Sequence, residues 1–434
     1  MIRLWSVAAI AATFGLGAGL ITGLKVLPAS TTGNEKSQQV NASSAPTKQP
    51  NSDSADSEST DLENYRRAIE LSDKAIAAAQ SAENADDNSR RLELIQQARA
   101  SWQDALGKLA GIPKQSDLYE RAVGKRIAYQ QNLIAIEGKI AKANQTFLDD
   151  VIQDVGLDPA KLHITLCQLT SNSNSSLASV LANRAQLNES PPQLNPQLCR
   201  EHQGDQLLAS PASLIKLPIA VALMAKVSAE HLDLNDKIFV DPNNFTETGG
   251  SAMIEVGNTY SLRQVMAQMI KESDNIATNQ LIDYLGYDYI NQAISQSDYP
   301  QTVVGHKLMG DQTMPVDFGD GNNQSTTQEI TAMMAQVYSL TDPAHKEILR
   351  ALSSQQDREI GYEALEDLGP KVKWVGEKTG QNDRVIGSTL AMDISEERYI
   401  LTVAIDYDSD LFSLRQIISK IATYLSKNGP LTTG

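Results

Sequence analysis

Apolar residues recur at helical spacing through residues 61–143. They fall into three sets, and Asn84–Asn88 and Gly111–Pro113 separate one set from the next. The pattern predicts a helical hairpin or three-helix unit over 61–143. Its apolar stripes form either the unit's own core, a partner-binding face or a dimeric coiled coil. The three sets begin Leu62, Tyr65, Ile69; then Leu92, Ile95, Ala98; and then Tyr119, Val123, Ile127.

The hydrophobic pattern changes after residue 143. A short helix is predicted near Phe147–Val155, followed by an apolar strand at Leu162–Leu169. A mostly helical block over about 221–345 comes next, and the chain closes with two β-branched strands and an amphipathic helix. This order predicts an α+β domain over 144–434, an α/β sandwich with an antiparallel sheet. The closing elements are Val385–Met392, Tyr399–Ile405 and Leu411–Leu425.

The N-terminal segment contains a long uncharged run. Residues 4–24 carry no charge and are long enough to span a bilayer, which predicts a membrane anchor within 1–29. A cleaved signal peptide is the alternative, although Leu27 stands where a small residue is expected before a cut near Ala29. Residues 30–60 are rich in Ser, Thr, Asn, Gln and Asp and predict a disordered linker.

Composition narrows the classes of function. The net charge of −16 argues against nucleic acid or an anionic membrane surface as a partner. Five scattered His residues and no Cys cluster argue against a metal site. The two cysteines, Cys167 and Cys199, would pair in an exported chain, or else they are two buried free thiols.

One short motif brings a nucleophile and a base together. Ser213 and Lys216 lie three residues apart within a buried helical pattern, so they share one helix face. An alcohol is a poor nucleophile at neutral pH. A neighbouring amine that can become neutral is able to take the proton of the alcohol. A helix N-cap with an exposed lysine would give the same short motif.

Two further motifs point to a known family. Ser273-Asp274-Asn275 and Lys378-Thr379-Gly380 follow the first motif in the order found in class A β-lactamases and penicillin-binding proteins. Over roughly residues 145–426 the chain resembles that family of serine hydrolases. The resemblance implies the same α/β sandwich, a catalytic domain outside the cytoplasm and no cofactor.

The resemblance also implies a role for each motif residue. Ser213 is the nucleophile, Lys216 its base, and Ser273 a proton relay. Asn275 binds an amide of the ligand, while Lys378 and Thr379 bind its carboxylate. Gly380 allows the ligand to approach the backbone closely. The N–H groups of Ser213 and Gln381 form the oxyanion hole.

Deacylation is where the sequence departs from class A β-lactamases, which release the acyl group through a glutamate between the second and third motifs. No Glu lies between Ser273 and Gln328, and Gln312 falls near the expected position, with Asp311 beside it. The sequence therefore predicts a β-lactam hydrolase with slow deacylation. The alternative is a penicillin-binding-type peptidase or esterase acting on cell-wall peptide or another ester.

Overall fold

The computed structural model describes residues 52–85, 88–170, 193–247, 253–310 and 312–432. The predicted membrane anchor and most of the predicted linker lie outside these ranges. The described part contains an N-terminal all-α region followed by a five-stranded antiparallel sheet with helices on both faces. The α+β fold class predicted from the sequence is therefore confirmed.

Eleven α-helices are described in these ranges. The first three form the N-terminal region, and the other eight surround the sheet. Their bounds are α1 Ser52–Glu83, α2 Asn88–Ala110, α3 Tyr119–Val155, α4 Lys216–Glu230, α5 Leu262–Lys271, α6 Asn275–Leu285, α7 Tyr287–Gln296, α8 Thr327–Tyr338, α9 His345–Leu352, α10 Gly361–Glu366 and α11 Leu411–Asn428.

The large sheet has the strand order β2-β1-β7-β6-β5, and every neighbouring pair is antiparallel. Strands β3 and β4 form a separate two-stranded ribbon. The bounds are β1 Leu162–Thr170, β2 Gln193–His202, β3 Lys237–Phe239, β4 Thr259–Ser261, β5 Val372–Asn382, β6 Val385–Ile394 and β7 Glu397–Asp406.

Alternation along the strands gives the sheet two apolar faces. In β7, Leu401 and Val403 point to one side, where they pack with α11 and the end of α3. Ile400 and Ala404 point to the other side and join the core built on α4, α5 and α8. Strand β5 is at one edge of the sheet, so it can line a cleft between the sheet and the helical layer that contains α4, α5 and α8.

Three helices make up the N-terminal region, with their own core around Trp102 and Tyr129. Tyr129 donates to Ser72 and Lys139 pairs with Glu83, so α3 runs parallel to α1. The breaks predicted after residues 83 and 110 are present. Helix α1 begins at Ser52, inside the stretch predicted as linker, since Ser and Asp are favourable in the first turn of a helix.

Helix α3 is continuous from Tyr119 to Val155, so the short helix predicted at 147–155 is its C-terminal part. That part packs on the sheet domain: Phe147 stacks on Tyr424 of α11 with ring centroids 4.1 Å apart. Buried Arg200 of β2 donates to the Asn144 carbonyl at 2.7 Å. A division between domains at residue 143 stays a prediction.

A disulfide joins Cys167 of β1 to Cys199 of β2 at directly opposed positions of the ladder. Within the described ranges, one segment is long and apolar enough to cross a membrane, Ala212–Glu230, and 67% of it is buried inside the protein. This segment contains the core helix α4, which explains its apolar character. The predicted span at residues 4–24 lies outside the described residues.

Candidate active site

Ser213 lies in a single 3-10 turn, Ala212–Ile215, that leads directly into α4. The turn is entered through Ala212, whose φ of 43° lies in the left-handed region that residues with a side chain rarely adopt. Such backbone conformations persist only where the surroundings fix them, and they are concentrated at functional sites. Here the fixing element is α4, whose residues from Lys216 to Met224 are all buried. Ser213 is thus held half-buried at the start of a rigid core helix.

Lys216 is completely buried, and its amine lies at the centre of the three motifs. Its Nζ is 2.9 Å from Ser213 Oγ, 3.0 Å from Ser273 Oγ and 2.6 Å from the Ser273 carbonyl oxygen. Asn275 Oδ1 completes the set at 2.8 Å. The structure therefore brings Ser213, Lys216, Ser273 and Asn275 together.

Burial lowers the pKa of Lys216 well below its ordinary value, and the positive charge of Lys378 lowers it further, against the opposing effect of Asp274. A lysine with a lowered pKa has a larger neutral fraction at physiological pH. The neutral amine has a free lone pair that can accept a proton from the serine hydroxyl. The geometry and the electrostatics both suit Lys216 to be a base for Ser213.

The turn between α5 and α6 presents the second motif. Ser273 has a φ of 57°, which directs its side chain and its carbonyl towards Lys216. Asp274 is fully buried and caps α6 by accepting from the Ala277 N–H at 3.0 Å. Asp274 also accepts from the Ile254 N–H at 3.4 Å. Its carboxylate therefore shapes the turn, and Ser273 and Asn275 face the nucleophile.

The third motif is on the edge strand β5. Lys378 is buried, and its Nζ donates to Ser273 Oγ at 3.1 Å, so Ser273 connects the two lysines. Burial lowers the pKa of Lys378 to about 8, even though Asp357 and Glu377 act in the opposite direction. Thr379 Oγ1 donates to Asp357 at 2.7 Å. A cationic amine and a hydroxyl on one strand edge are suited to bind a carboxylate.

The low pKa of Lys378 predicts a pH-dependent preference for anionic ligands. As pH rises through about 8, Lys378 loses its charge, whereas an unperturbed lysine would keep it. If β-lactams acylate Ser213, as the family resemblance implies, the acylation rate for a penicillin, divided by the rate for its neutral methyl ester, should therefore fall across that pH. Taking the ratio cancels the effect of any change in the protonation of Lys216, because that change alters the acylation rates of both ligands. A ratio in the wild type that stays constant well above that pH would contradict the assignment, and Lys378→Arg, which keeps its charge, should give a constant ratio.

Gly380 brings β5 into contact with the nucleophile turn. A Cβ at this position would lie 2.9 Å from both Leu214 N and Leu214 Cγ, and 3.2 Å from the Pro211 carbonyl oxygen. Asn382 adds a second link by donating to Ser210 Oγ at 3.0 Å. Gln381 lies between these two contacts, so its backbone is held next to the turn that carries Ser213.

Hydrogen bonds connect the loop that carries Gln312 to a loop that precedes the second motif. Glu247 accepts from Thr313 Oγ1 at 2.6 Å, from Thr313 N at 2.9 Å and from Gln312 N at 3.3 Å. These bonds lower the pKa of Glu247 to about 2, so it is ionised and a weak base. The Gln312 side chain is exposed, and Asp311 lies outside the described residues.

Three supporting carboxylates were not identified from the sequence. Asp357 holds Thr379, Glu247 holds the Gln312 loop, and buried Glu377 accepts from Gly361 N, Trp374 Nε1 and Ser388 Oγ. Glu377 is adjacent to Lys378, which is a weak signal of a buried partner. Asp357 and Glu247 belong to separate loops, and nothing in their local sequence distinguishes them from solvated acids.

Comparison with known proteins identifies the family. The family model described as the Beta-lactamase enzyme family matches residues 201–428, which contain all three motifs. The chain belongs to this family. A search of curated proteins gave no match to the chain.

Several solved structures share this fold. A β-lactamase from Sphaerobacter thermophilus is 20% identical with a TM-score of 0.50, and the match covers 65% of this chain and 97% of that one. PBP-A is 20% identical with a TM-score of 0.51 and the same coverage. A PBP-A variant, solved as an acyl-enzyme complex with penicillin G, is 20% identical with a TM-score of 0.50 and covers 64% and 96%. At this identity the likeness supports the β-lactamase and penicillin-binding-protein fold.

Proposed function

We propose that this β-lactamase-family protein is a serine hydrolase that opens β-lactam amides through an acyl-enzyme on Ser213. The contact that carries the proposal is the buried Lys216 amine, 2.9 Å from Ser213 Oγ and 3.0 Å from Ser273 Oγ. An amine with a lowered pKa between two hydroxyls can take a proton from one while the other passes a proton onward. The family's fold supports a serine hydrolase, and the β-lactam substrate is our inference.

In the proposed acylation, Lys216 takes the proton as Ser213 Oγ forms a bond to the lactam carbonyl carbon. The N–H groups of Ser213 and Gln381 stabilise the negative oxygen of the tetrahedral intermediate. The carbon–nitrogen bond then breaks, and Ser273 donates its proton to the leaving nitrogen and recovers one from Lys216. Asn275 and the Lys378–Thr379 pair hold the amide and the carboxylate of the ligand.

We further propose that release of the acyl group is slow. In the sequence, Gln312 falls near the position expected for the deacylating glutamate, and an amide can hydrogen-bond a water but cannot take its proton. Glu247 is the carboxylate held against this loop, but its pKa of about 2 makes it a poor base. The alternative is a penicillin-binding-type peptidase or esterase. In that case penicillin is a substrate analogue that stays on the protein as a long-lived adduct.

A labelling time course separates these functions. A fluorescent penicillin is added, the excess is removed, and the label on the full-length protein is followed with time. Slow but complete loss of label, with release of the hydrolysed antibiotic, supports a weak β-lactamase. Label that never leaves supports the penicillin-binding type. Failure of the wild type to label at all would overturn both. Turnover at about 10 per second or more would contradict slow release.

Gln312→Glu should speed release of the acyl group, because it supplies a carboxylate that can accept a proton from water. We expect roughly tenfold faster loss of label, less than the 100- to 10,000-fold of a well-positioned base, because the surroundings of the new carboxylate are not optimised. The acylation rate should stay unchanged. Gln115→Glu, which adds the same charge to an exposed site in the helical region, is the matched control. Equal release rates in Gln312→Glu and wild type would refute the placement of Gln312.

We propose that residues 4–24 anchor the protein in the bacterial inner membrane with its catalytic domain in the periplasm. β-lactamase-like proteins are often extracytoplasmic, and the Cys167–Cys199 disulfide supports an oxidising compartment. The full-length protein should therefore sediment with membranes and resist a high-salt wash. A soluble mature protein that begins near residue 30 would contradict the anchor.

A further inference from the structure

Helix α3 has two opposite faces with different environments. One face, which includes Tyr129, Leu133 and Ile136, is buried in the three-helix core. The other carries two large apolar side chains in solvent: Ile127 is 60% exposed and Ile134 is 59% exposed. These two isoleucines are one heptad apart, so they lie on the same side of the helix. They contribute nothing to the core of the helical region.

The positions between and beyond the isoleucines complete one continuous stripe, which we call the α3 stripe: Gly124, Ile127, Gln131, Ile134 and Gly138. The spacing alternates between three and four residues, as in a coiled-coil seam, and all five residues are exposed. Glycine is a poor helix former, and among the described residues a Cβ at Gly124 or Gly138 would meet nothing within 4 Å. Packing within the described part of the chain therefore does not require these glycines, whereas close approach of a second helix would.

The order of residues in the α3 stripe reads almost the same in both directions from Gln131. A glycine lies seven residues away on either side, and an isoleucine lies between each glycine and the centre. A twofold axis through Gln131 would place Ile127 against Ile134 of a second copy and Gly124 against Gly138. Gln131 would face its own copy, which its amide can satisfy because it both donates and accepts. Such a self-complementary patch is what a twofold interface requires.

The charges at the two ends of the α3 stripe favour one relative orientation of the two α3 helices. Glu120 lies eleven residues before Gln131 and Lys142 eleven residues after it, on the same side of the helix, and both are exposed. In an antiparallel pair each Glu120 meets Lys142 of the other copy. In a parallel pair like charges would meet at both ends. Charge complementarity therefore favours two antiparallel α3 helices.

We propose that the protein forms an antiparallel homodimer through the α3 stripe. The occupant of this surface is a second copy of the chain, and the two catalytic domains are carried on a paired stalk of α3 helices. The proposal does not depend on the chemistry at Ser213. It goes beyond the proposed hydrolase activity by assigning a function to the helical region.

Cysteine cross-linking of the full-length protein in membranes tests the contact and its orientation. Gln131→Cys should give a disulfide-linked dimer under mild oxidation, and off-stripe Arg126→Cys on the same helix should not. Glu120→Cys alone should stay uncrosslinked, because residues 120 and 142 are separated by about 33 Å along the helix. Mixed with Lys142→Cys, it should cross-link. The two native cysteines are already paired and do not compete.

Sedimentation of the full-length protein in mild detergent tests the energetics. Ile134→Lys should weaken the dimer on the order of tenfold or more, since it places a charge in the apolar part of the contact, against Ile127 of the second copy. Leu62→Lys, an equal change at an exposed apolar residue of α1, should leave the dimer unchanged. The circular dichroism spectra of both variants should match the wild type and show that they are folded.

Three results would overturn the proposal. The first is a wild-type protein that stays monomeric at all concentrations and gives no Gln131→Cys cross-link, as expected if the stripe binds a different protein. The second is a dimer that Ile134→Lys does not weaken. The third is efficient cross-linking of Glu120→Cys to itself, which requires a parallel pair.

Discussion

Replacing Lys216 by alanine is expected to slow acylation of Ser213 by roughly 100- to 10,000-fold, the usual contribution of a positioned base. The Lys216 amine lies 2.9 Å from Ser213 Oγ, and burial lowers its pKa, which favours the neutral form that can accept the proton. Lys216→Arg should not restore the rate, because an arginine does not lose its proton. Ser213→Ala should give no covalent adduct with any β-lactam.

Intact-mass spectrometry after penicillin treatment measures both variants. Lys226→Ala is the matched control, since Lys226 lies on the same helix α4 and pairs with exposed Glu230 away from the motifs. It should acylate at the wild-type rate. A penicilloyl adduct on Ser213→Ala would mean that a different residue is the nucleophile. Near-normal acylation of Lys216→Ala would assign the base to another group.

The fold class and the core elements could be predicted because each has a local signal. The β-branched runs at 385–392 and 399–405 became β6 and β7, and the apolar run after Ser213 became the buried helix α4. The extent of α3 could not be predicted in the same way. The apolar residues of α3 pack in the helical core before Asn144 and against the sheet domain after it. A change of packing partner does not end a helix.

The motif residues could be proposed from the sequence because their order and spacing are distinctive, but their electrostatics could not. The low pKa values of Lys216 and Lys378 arise from complete burial, and the pKa of Lys216 is lowered further by the nearby charge of Lys378; only the folded chain creates these surroundings. The contact of Asp357 with Thr379 joins two segments that carry no common pattern. Glu247 is a similar case, because it acts on a loop more than sixty residues further along the chain.

Gly380→Ala is expected to reduce acylation by about 100-fold, the loss associated with misplacing a reacting group by roughly 1 Å. The new Cβ would lie 2.9 Å from the Leu214 backbone nitrogen, so the nucleophile turn and β5 would have to separate. That movement shifts Ser213 relative to both Lys216 and the Gln381 N–H. Overpacking of this kind should also lower the free energy of unfolding by about 1 to 3 kcal/mol.

The matched control for Gly380→Ala is Gly387→Ala on the neighbouring strand. Gly387 lies directly opposite Gly380 in the β5–β6 ladder, and its Cβ would meet Ala404 Cβ and the Val403 carbonyl oxygen at 3.0 Å. This variant strains the same sheet without touching the nucleophile turn. We expect both variants to unfold at lower denaturant concentration, but only Gly380→Ala to lose acylation. Equal acylation rates in the two variants would show that contact between β5 and the turn does not position Ser213.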